Sequence, residues 1–241
     1  MGVDPIERLA RDPAHSALLL DVDGALAPIV PRPQDARVPA ATRSELERLR
    51  DRYALVACIT GRTAEDARGI VGVEGLEYMG VHGLEGNSEA KRWRRELQEL
   101  LAAADWPEAE TEDKGVTVSF HFRRAADEAS ALARLEEIAA RADHAGLVPH
   151  YGRKVLEVRP PVDADKGTAV QSLLAARDLT AALYAGDDTT DLDAFRGLSE
   201  AGLELAVRVA VVSDESPPAL REGADLTVNG PEGLLALLGE L

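Results

Sequence analysis

Two carboxylates, Asp21 and Asp23, directly follow the apolar run 17–20 and precede Gly24. The run is too short for a free-standing helix, so it predicts a buried parallel strand. The carboxyl end of such a strand is where open α/β sheets bind ligands. Neighbouring acids repel each other unless a cation lies beside them, and hard cations such as Mg²⁺ bind carboxylate oxygens. We therefore expect metal-assisted chemistry here. The alternative is a strand end with two solvated aspartates.

A second acidic set, Asp187, Asp188 and Asp191, follows the apolar run 181–185. The first two lie in the predicted turn after a strand, and the third lies near the first turn of the next helix. Together with Asp21 they could form an acidic cup for Mg²⁺. The alternative for Asp191 is a helix cap or a first-turn acid favoured by the helix dipole.

The elements that position these acids alternate between strand and helix. Polar residues and glycine again follow two strands, at 60–62 and 82–83, and Lys166 opens a helix. This order predicts an α/β fold with a doubly wound, Rossmann-like parallel sheet. The predicted strands are 17–20, 53–60, 77–81, 181–185 and 205–212, and the predicted helices are 39–52, 64–71, 166–177, 191–198 and 234–241.

The rhythm changes in the middle of the chain. Residues 116–122 alternate between apolar and polar like a half-exposed antiparallel strand. Further strands are predicted at 147–150 and 155–159, with helices at 91–104 and 127–142. We therefore expect a smaller α+β cap domain inserted into the core. The predicted parts are 1–85 and 163–241 for the core and 86–162 for the cap, with hinges at Gly86 and at Pro160–Pro161.

The bulk composition excludes some partners. The formal net charge of the 241-residue chain is −16, which argues against nucleic acid or an anionic membrane surface, although a small anionic substrate needs only a local positive site. The single cysteine, Cys58, excludes an internal disulfide and suits a reducing compartment. No targeting segment or membrane span is visible, so we expect a soluble cytoplasmic protein.

Four motifs occur in order: Asp-Val-Asp-Gly at 21–24, Ile-Thr-Gly-Arg at 59–62, Asp-Lys-Gly at 165–167, and the acidic stretch 186–195. They resemble the motifs of the haloacid dehalogenase superfamily of phosphotransferases. The finer pattern resembles the trehalose-6-phosphate phosphatases, on residues 80–83, 118–123, 154–160 and 186–195. The resemblance covers almost the whole chain.

The resemblance implies a role for each motif residue. Asp21 is the expected nucleophile, and Asp23 the acid and later the base. Thr60 and Lys166 are expected to hold phosphoryl oxygens, although a surface lysine at a helix start is the alternative for Lys166. The implied Mg²⁺ ligands are Asp21, Asp187 and the carbonyl of Asp23, with Asp188 and Asp191 binding or orienting the metal.

The implied substrate-binding residues fall into two groups. Those of the core are Gly24, Gly61, Arg62, His82 and Gly83, and those of the cap are Arg123, Lys154, Glu157 and Arg159. The alternative for His82 is an ordinary loop histidine. For Glu157 and Arg159 the alternative is that they point outward from a strand into solvent.

One position discriminates within the superfamily, and another departs from the usual family pattern. Asp23 is expected in phosphatases and phosphomutases, because their leaving oxygen needs a proton, whereas a halide does not. Ala25 stands where the family usually has threonine. If the missing hydroxyl made a hydrogen bond worth about 1 kcal/mol to the nucleophile, the rate would drop several-fold rather than vanish.

The sequence thus predicts a Mg²⁺-dependent phosphatase that acts on trehalose 6-phosphate. One alternative is a phosphatase for another phosphosugar, such as sucrose 6-phosphate or a glycosyl phosphoglycerate. Another is a non-catalytic sensor of sugar phosphate, or a partner of a trehalose-phosphate synthase. We expect a monomer with a small sugar phosphate as its ligand and a possible functional link to such a synthase.

Overall fold

The computed structural model describes residues 4–104, 106, 109–122, 125, 127–152, 154–214 and 216–241. These residues form two compact units. The core unit comprises the described residues up to Gly83 together with Ala164–Leu241, and the module comprises those within Leu84–Asp163.

The elements are numbered along the chain. The strands are β1 (Ser16–Leu20), β2 (Leu55–Ile59), β3 (Glu77–Met79), β4 (Glu110–Asp113), β5 (Val118–His121), β6 (Val148–Gly152), β7 (Val155–Arg159), β8 (Ala181–Gly186), β9 (Leu205–Val212) and β10 (Leu226–Asn229). The helices are α1 (Pro5–Arg11), α2 (Ala40–Arg50), α3 (Ala64–Val71), α4 (Arg94–Ala104), α5 (Glu128–His144), α6 (Lys166–Ala175), α7 (Thr190–Ser199), α8 (Pro218–Gly223) and α9 (Gly230–Leu238).

The core unit contains a parallel sheet with strand order β10-β9-β8-β1-β2-β3. The chain first runs from β1 to β3 on one side and later from β8 to β10 on the other. The order therefore reverses between β1 and β8, and such a switch point is where doubly wound sheets bind ligands. Leu20 is level with Cys58 of β2 and Ala185 of β8, so the three strands end together. The predicted fold class is confirmed.

Both faces of this sheet are buried, which explains the continuous apolar runs in the sequence. Leu18 and Leu20 of β1 pack into one hydrophobic cluster, whereas Ala17 and Leu19 pack into the cluster on the opposite face. All five residues of β1 are buried. Because each buried leucine contributes about 1.5–3 kcal/mol, the strand that carries the first acidic motif is firmly held.

Helices α6 and α7 pack so closely that glycine is needed at the contact. A Cβ on Gly197 would lie 2.3 Å from the carbonyl oxygen of Gly167, and one on Gly167 would lie 2.4 Å from that of Asp193. A side chain at either position would therefore push the helices apart. This close packing brings the first residue of α6 near the first turn of α7.

The module is an α+β unit with an antiparallel sheet in the order β4-β5-β7-β6. Phe120 of β5 lies opposite Leu156 of β7, and both pack into a cluster with Leu97 of α4 and Leu135 of α5. Alternate residues of β7 point away from this cluster, which explains the alternating pattern in the sequence.

Several elements were not predicted from the sequence. Strand β4 has four exposed residues, Glu-Thr-Glu-Asp, so it lacks an apolar face that could have revealed it. Helices α1 and α8 and strand β10 are short and carry few buried residues. Helix α9 begins four residues before the predicted start, with Pro231 in its first turn. Across the part of the chain that the structure describes, no helix is long and apolar enough to cross a membrane.

Candidate active site

Asp21 begins the turn that follows β1. Its backbone N–H donates a hydrogen bond of 2.9 Å to the carbonyl of Ala185, which extends the pairing between β1 and β8 by one residue. The chain then turns back, with the Ala27 N–H bonded to the carbonyl of Val22 at 2.8 Å. This geometry places the Asp21 carboxylate at the switch point of the sheet, where only 5% of the residue is exposed.

Gly24 allows a second carboxylate to approach this turn. Its φ angle of +84° lies in the region that favours glycine, and a Cβ would lie 1.9 Å from the Oδ2 atom of Asp187. Any side chain at this position would therefore collide with Asp187. The neighbouring Ala25 is fully buried within the hydrophobic cluster on one face of the sheet.

Lys166 enters the site as the first residue of α6. Asp165 caps the helix by accepting a hydrogen bond from the backbone N–H of Thr168. The Lys166 Nζ atom lies 2.8 Å from Oδ1 of Asp21 and 2.7 Å from Oδ1 of Asp191. The lysine is 3% exposed, so its charge is balanced by these two carboxylates rather than by water.

Asp191 is a fully buried carboxylate with four hydrogen-bond donors around it. Oδ1 accepts from Lys166 Nζ and from the Tyr184 hydroxyl, each at 2.7 Å. Oδ2 accepts from the backbone N–H groups of Asp187 and Asp188 at 2.8 and 2.9 Å. The carboxylate thus fixes the loop after β8 as well as the lysine.

Three buried or half-buried carboxylates surround one ammonium group, which leaves excess negative charge. Burial, together with the charge of Asp191, raises the pKa of Asp187 to about 6. Burial also raises the pKa of Asp21, an effect that Lys166 opposes and Asp191 reinforces. Burial lowers the pKa of Lys166, but Asp21 and Asp191 outweigh that effect and raise it above its ordinary value. A further cation would relieve the repulsion among the acids.

The donor set suits a hard metal ion. Asp21, Asp187 and Asp191 each offer a carboxylate oxygen, and these oxygens lie within 4.8 Å of one another. Carboxylate oxygens are the ligands that Mg²⁺ prefers. Because Asp191 already accepts four hydrogen bonds, Asp21 and Asp187 are better placed to donate oxygens to a metal. Asp188 is exposed, and its Oδ1 accepts from the Thr189 N–H at 2.6 Å.

Asp23 faces Arg62 rather than the Asp21 cluster. The Arg62 Nε and Nη2 atoms donate to its two carboxylate oxygens at 2.6 and 2.7 Å. This is a bidentate pair, the geometry in which arginine holds carboxylates and phosphates most firmly. Asp23, two residues after Asp21, is therefore bound to an arginine, a group that also suits phosphate.

The loop after β2 carries Thr60 and Arg62 and is held by a second loop. The backbone N–H of His82 donates to the Thr60 carbonyl at 2.9 Å, and that of Val81 donates to the Arg62 carbonyl at 2.8 Å. Val81 and His82 both have positive φ angles, 49° and 52°. Such strain in residues other than glycine persists only where the surroundings impose it, and it is common at functional sites.

Glycines at 61 and 83 fit this loop pair tightly. A Cβ on Gly61 would lie 2.7 Å from Nε2 of His82, so the imidazole lies over the Gly61 backbone. A Cβ on Gly83 would lie 2.9 Å from that of Ala169 in α6. Thr60 is 1% exposed, and its Oγ1 accepts from the Arg62 N–H at 3.2 Å. The predicted residues of these two loops are thus held together by hydrogen bonds between the loop after β2 and the loop after β3.

The predicted residues of the module have different surroundings. Lys154 forms an ion pair of 2.9 Å with Glu128, and Arg159 donates to Glu157 at 2.7 Å. Glu157 and Arg159 alternate with the buried residues of β7 and therefore point away from the module's hydrophobic cluster. Arg123 lies outside the described residues.

Sequence reasoning missed Tyr184. Its position lies within the predicted apolar strand 181–185, yet its hydroxyl donates to Asp191 from inside the core. The available signal was slight: a single polar atom in the strand Ala-Ala-Leu-Tyr-Ala-Gly. A buried tyrosine hydroxyl needs a partner, and the nearby acids were the available acceptors.

Comparisons with known proteins add family information to this geometry. The model of the trehalose-phosphatase family matches residues 19–228. Trehalose-phosphate phosphatase B of Arabidopsis thaliana is 31% identical over 227 residues, which cover 83% of this chain and 60% of that protein. A probable trehalose-phosphate phosphatase of Sinorhizobium fredii is 29% identical over all of this chain and 93% of its own length. The chain thus spans less than two thirds of the Arabidopsis relative.

Solved structures have the same fold. A trehalose-6-phosphate phosphatase related protein superposes with a TM-score of 0.71 at 24% identity, covering 92% of this chain and 95% of its own. A haloacid dehalogenase-like hydrolase from Bacteroides thetaiotaomicron gives a TM-score of 0.61 at 15% identity, with 93% and 98% coverage. At these identities the likeness establishes the fold alone.

Proposed function

Because the chain belongs to the trehalose-phosphatase family, we propose that this protein hydrolyses the phosphate monoester of trehalose 6-phosphate to trehalose and inorganic phosphate. The observation that carries the proposal is the buried pair of Asp21 and Lys166, 2.8 Å apart at the switch point of the sheet. A carboxylate can attack phosphorus, and an adjacent ammonium can hold the phosphoryl oxygens.

Asp21 is the proposed nucleophile. One of its carboxylate oxygens forms a bond to phosphorus while the bond between phosphorus and the sugar oxygen breaks. The product is an aspartyl phosphate on Asp21 and a free sugar. Water then attacks phosphorus, which releases inorganic phosphate and regenerates the carboxylate.

Asp23 is the proposed acid and base. Its carboxyl group gives a proton to the departing sugar oxygen, and its carboxylate then takes a proton from the attacking water. Both of its oxygens face Arg62 in the structure, so the group must turn from Arg62 toward the sugar oxygen during the reaction. The Arg62 guanidinium can then donate to phosphate oxygens in place of the Asp23 carboxylate.

Lys166 and Thr60 are proposed to hold the phosphoryl group. The lysine has three N–H donors, two of which face Asp21 and Asp191, so a third can reach a phosphoryl oxygen. Thr60 is buried directly after β2, on the strand next to the one that Asp21 follows, and its hydroxyl is the corresponding neutral donor. These donors oppose the charge that accumulates in the transition state.

The acidic cluster supports a Mg²⁺ site as part of this proposal. The residues proposed to hold the ion are Asp21, Asp187 and the backbone carbonyl of Asp23, with Asp188 and Asp191 binding or orienting the metal. When bound, Mg²⁺ neutralises charge between the phosphate dianion and the carboxylates and so lowers the barrier to attack.

The remaining residues identified from the sequence stay predictions. In the core unit, the residues proposed to bind the substrate are Gly24, Gly61, Arg62, His82 and Gly83. In the module, Lys154, Glu157 and Arg159, with Arg123, are proposed to bind sugar hydroxyls or phosphate. The inserted module and its hinges at Gly86 and Pro160–Pro161 are likewise proposals.

The substrate is tested by a panel of phosphate esters with Mg²⁺: trehalose 6-phosphate, sucrose 6-phosphate, a glycosyl phosphoglycerate and glucose 6-phosphate. We expect the highest kcat/KM for trehalose 6-phosphate. A clear preference for another ester would keep the phosphatase chemistry and overturn the proposed substrate. Binding of trehalose 6-phosphate without phosphate release would instead favour the sensor.

Location and partners form a further part of the proposal. A buried thiol at Cys58 is compatible with a reducing cytoplasm, where we place the protein. We propose a monomer that is linked functionally to a trehalose-phosphate synthase, since such an enzyme would supply the substrate.

A further inference from the structure

Tyr184 lies on β8 and joins this strand to α7 through a hydrogen bond to Asp191. The side chain is fully buried, and its hydroxyl donates to Oδ1 of Asp191 at 2.7 Å. Its ring meets the ring of Phe195 edge to face, with centroids 6.0 Å apart. A phenylalanine would fill the same volume, so the hydroxyl serves a purpose other than packing.

The position of this hydroxyl matters because Asp191 divides its two oxygens between two tasks. Oδ1 receives Tyr184 and Lys166, and Oδ2 receives the N–H groups of Asp187 and Asp188. One oxygen thus controls the lysine and the other controls the loop that presents Asp187. A rotation of this carboxylate would disturb both tasks at once.

Lys166 is likewise shared between two carboxylates. Its Nζ atom is almost equally far from Asp191, at 2.7 Å, and from Asp21, at 2.8 Å. A hydroxyl that donates to Oδ1 satisfies part of the acceptor capacity of Asp191 and weakens its hold on the ammonium. Without the hydroxyl, we expect Lys166 to move toward Asp191 and away from Asp21.

We propose that Tyr184 is a positioning residue for phosphoryl transfer. Its hydroxyl holds Asp191 in the orientation that keeps Lys166 beside Asp21 and keeps the amides of Asp187 and Asp188 on Oδ2. The carboxylate of Asp187 is thereby presented for metal binding. This inference rests on the proposed function.

The chain supplies a matched control in Tyr78. It lies on β3 of the same sheet, and its hydroxyl donates to the backbone carbonyl of Val73 at 2.9 Å. Each Tyr→Phe substitution therefore removes one hydroxyl and one hydrogen bond from the core unit. Only Tyr184 has a partner within the acidic cluster.

The test compares wild type, Tyr184→Phe and Tyr78→Phe. Three quantities are measured: the melting temperature, the Kd for Mn²⁺ by electron paramagnetic resonance, and kcat and KM for trehalose 6-phosphate. Because partners of metal ligands typically affect affinity or activity 10–100-fold, we expect Tyr184→Phe to weaken Mn²⁺ binding and lower kcat about tenfold, with KM unchanged. Tyr78→Phe should lower the melting temperature about as much as Tyr184→Phe does, because each removes one hydrogen bond. It should leave the Kd for Mn²⁺, kcat and KM at wild-type values.

Equal Mn²⁺ affinity and equal kcat in the two variants would overturn the inference and leave the proposed function intact. A wild-type protein that binds Mn²⁺ but releases no phosphate from any ester would overturn the proposed function. The Mn²⁺ comparison would then still decide whether Tyr184 positions the acidic cluster.

Discussion

A charged pair of the candidate active site and a charged pair of the module differ in their access to water. Lys166 and Asp191 are 3% and 0% exposed, whereas the module's Lys154 and Glu128 are 43% and 58% exposed. Buried charges are tolerated only when fully partnered, and exposed ion pairs contribute little to stability. The buried Lys166 and Asp191 of the core site are therefore fixed by their neighbours, whereas the exposed pair of Lys154 and Glu128 in the module contributes little to stability.

Removal of the metal is the change with the largest expected effect. If the core cluster needs a cation, EDTA should lower phosphate release from trehalose 6-phosphate about 10³-fold or more, because a metal supplies several kcal/mol of charge stabilisation. Added Mg²⁺ should restore the rate. Full activity after exhaustive chelation would show that Lys166 alone offsets the acids and would contradict a need for metal at the core site.

Substitution of Asp23 tests the proton-transfer step. Asp23→Asn should lower kcat/KM for trehalose 6-phosphate by about 10²–10⁴-fold, since the sugar oxygen needs a proton to leave. The leaving group of 4-nitrophenyl phosphate needs none, so its kcat/KM should fall much less. Equal losses for the two esters would contradict the role of Asp23 as an acid.

The pH dependence of metal binding is a smaller effect with a defined sign. Burial and the charge of Asp191 raise the pKa of Asp187 to about 6. Because the metal displaces this proton, its apparent affinity should fall about tenfold per pH unit below that value and level off above it. Calorimetric titration with Mn²⁺ at several pH values measures this; a flat profile through pH 6 would contradict it.

The same group links pH to folding in the opposite direction. The folded state binds the Asp187 proton more tightly than the unfolded chain, whose ordinary value is 3.8. Asp187 therefore adds to the free energy of unfolding of the metal-free protein at low pH. This contribution is lost as the pH rises from 3.8 to about 6. Asp187→Asn should abolish this part of the pH dependence of the free energy of unfolding, as measured by denaturant titration. A variant with the same pH profile as wild type would contradict this contribution of Asp187.

The smallest effect is expected in the module. Lys154→Ala and Glu128→Ala break the same exposed ion pair, so each should cost at most about 1 kcal/mol of stability. If Lys154 also contacts the sugar, only Lys154→Ala should raise KM, with kcat unchanged. Equal KM values in the two variants would mean that Lys154 is a solvated surface residue.

The core of the fold could be predicted because burial leaves a strong pattern. Strands such as β1 and β2 are buried on both faces, so they appear as apolar runs that end in polar residues. Since parallel strands end at one edge, Asp21, Thr60 and Asp187 could be grouped before any contact was known. The structure does bring Asp21, Lys166, Asp187 and Asp191 together.

Other features left no pattern to detect. Strand β4 is exposed along its whole length, so no apolar spacing marks it. The pairing of Asp23 with Arg62 and the four donors of Asp191 depend on side-chain directions that spacing does not specify. Tyr184 is inconspicuous for the same reason, because its ring fits an apolar strand and its hydroxyl is revealed only by its partner.

If Asp21 is the nucleophile, a covalent phosphoryl intermediate forms on its carboxylate during turnover. The direct measurement is acid quenching of the enzyme during turnover of radiolabelled trehalose 6-phosphate, followed by peptide mapping. We expect a hydroxylamine-labile label on the peptide that contains Asp21, and no label in a folded Asp21→Asn variant whose phosphate release is on the order of 10⁵-fold slower. A label on another residue, or an Asp21→Asn variant that turns over at the wild-type rate, would contradict the account.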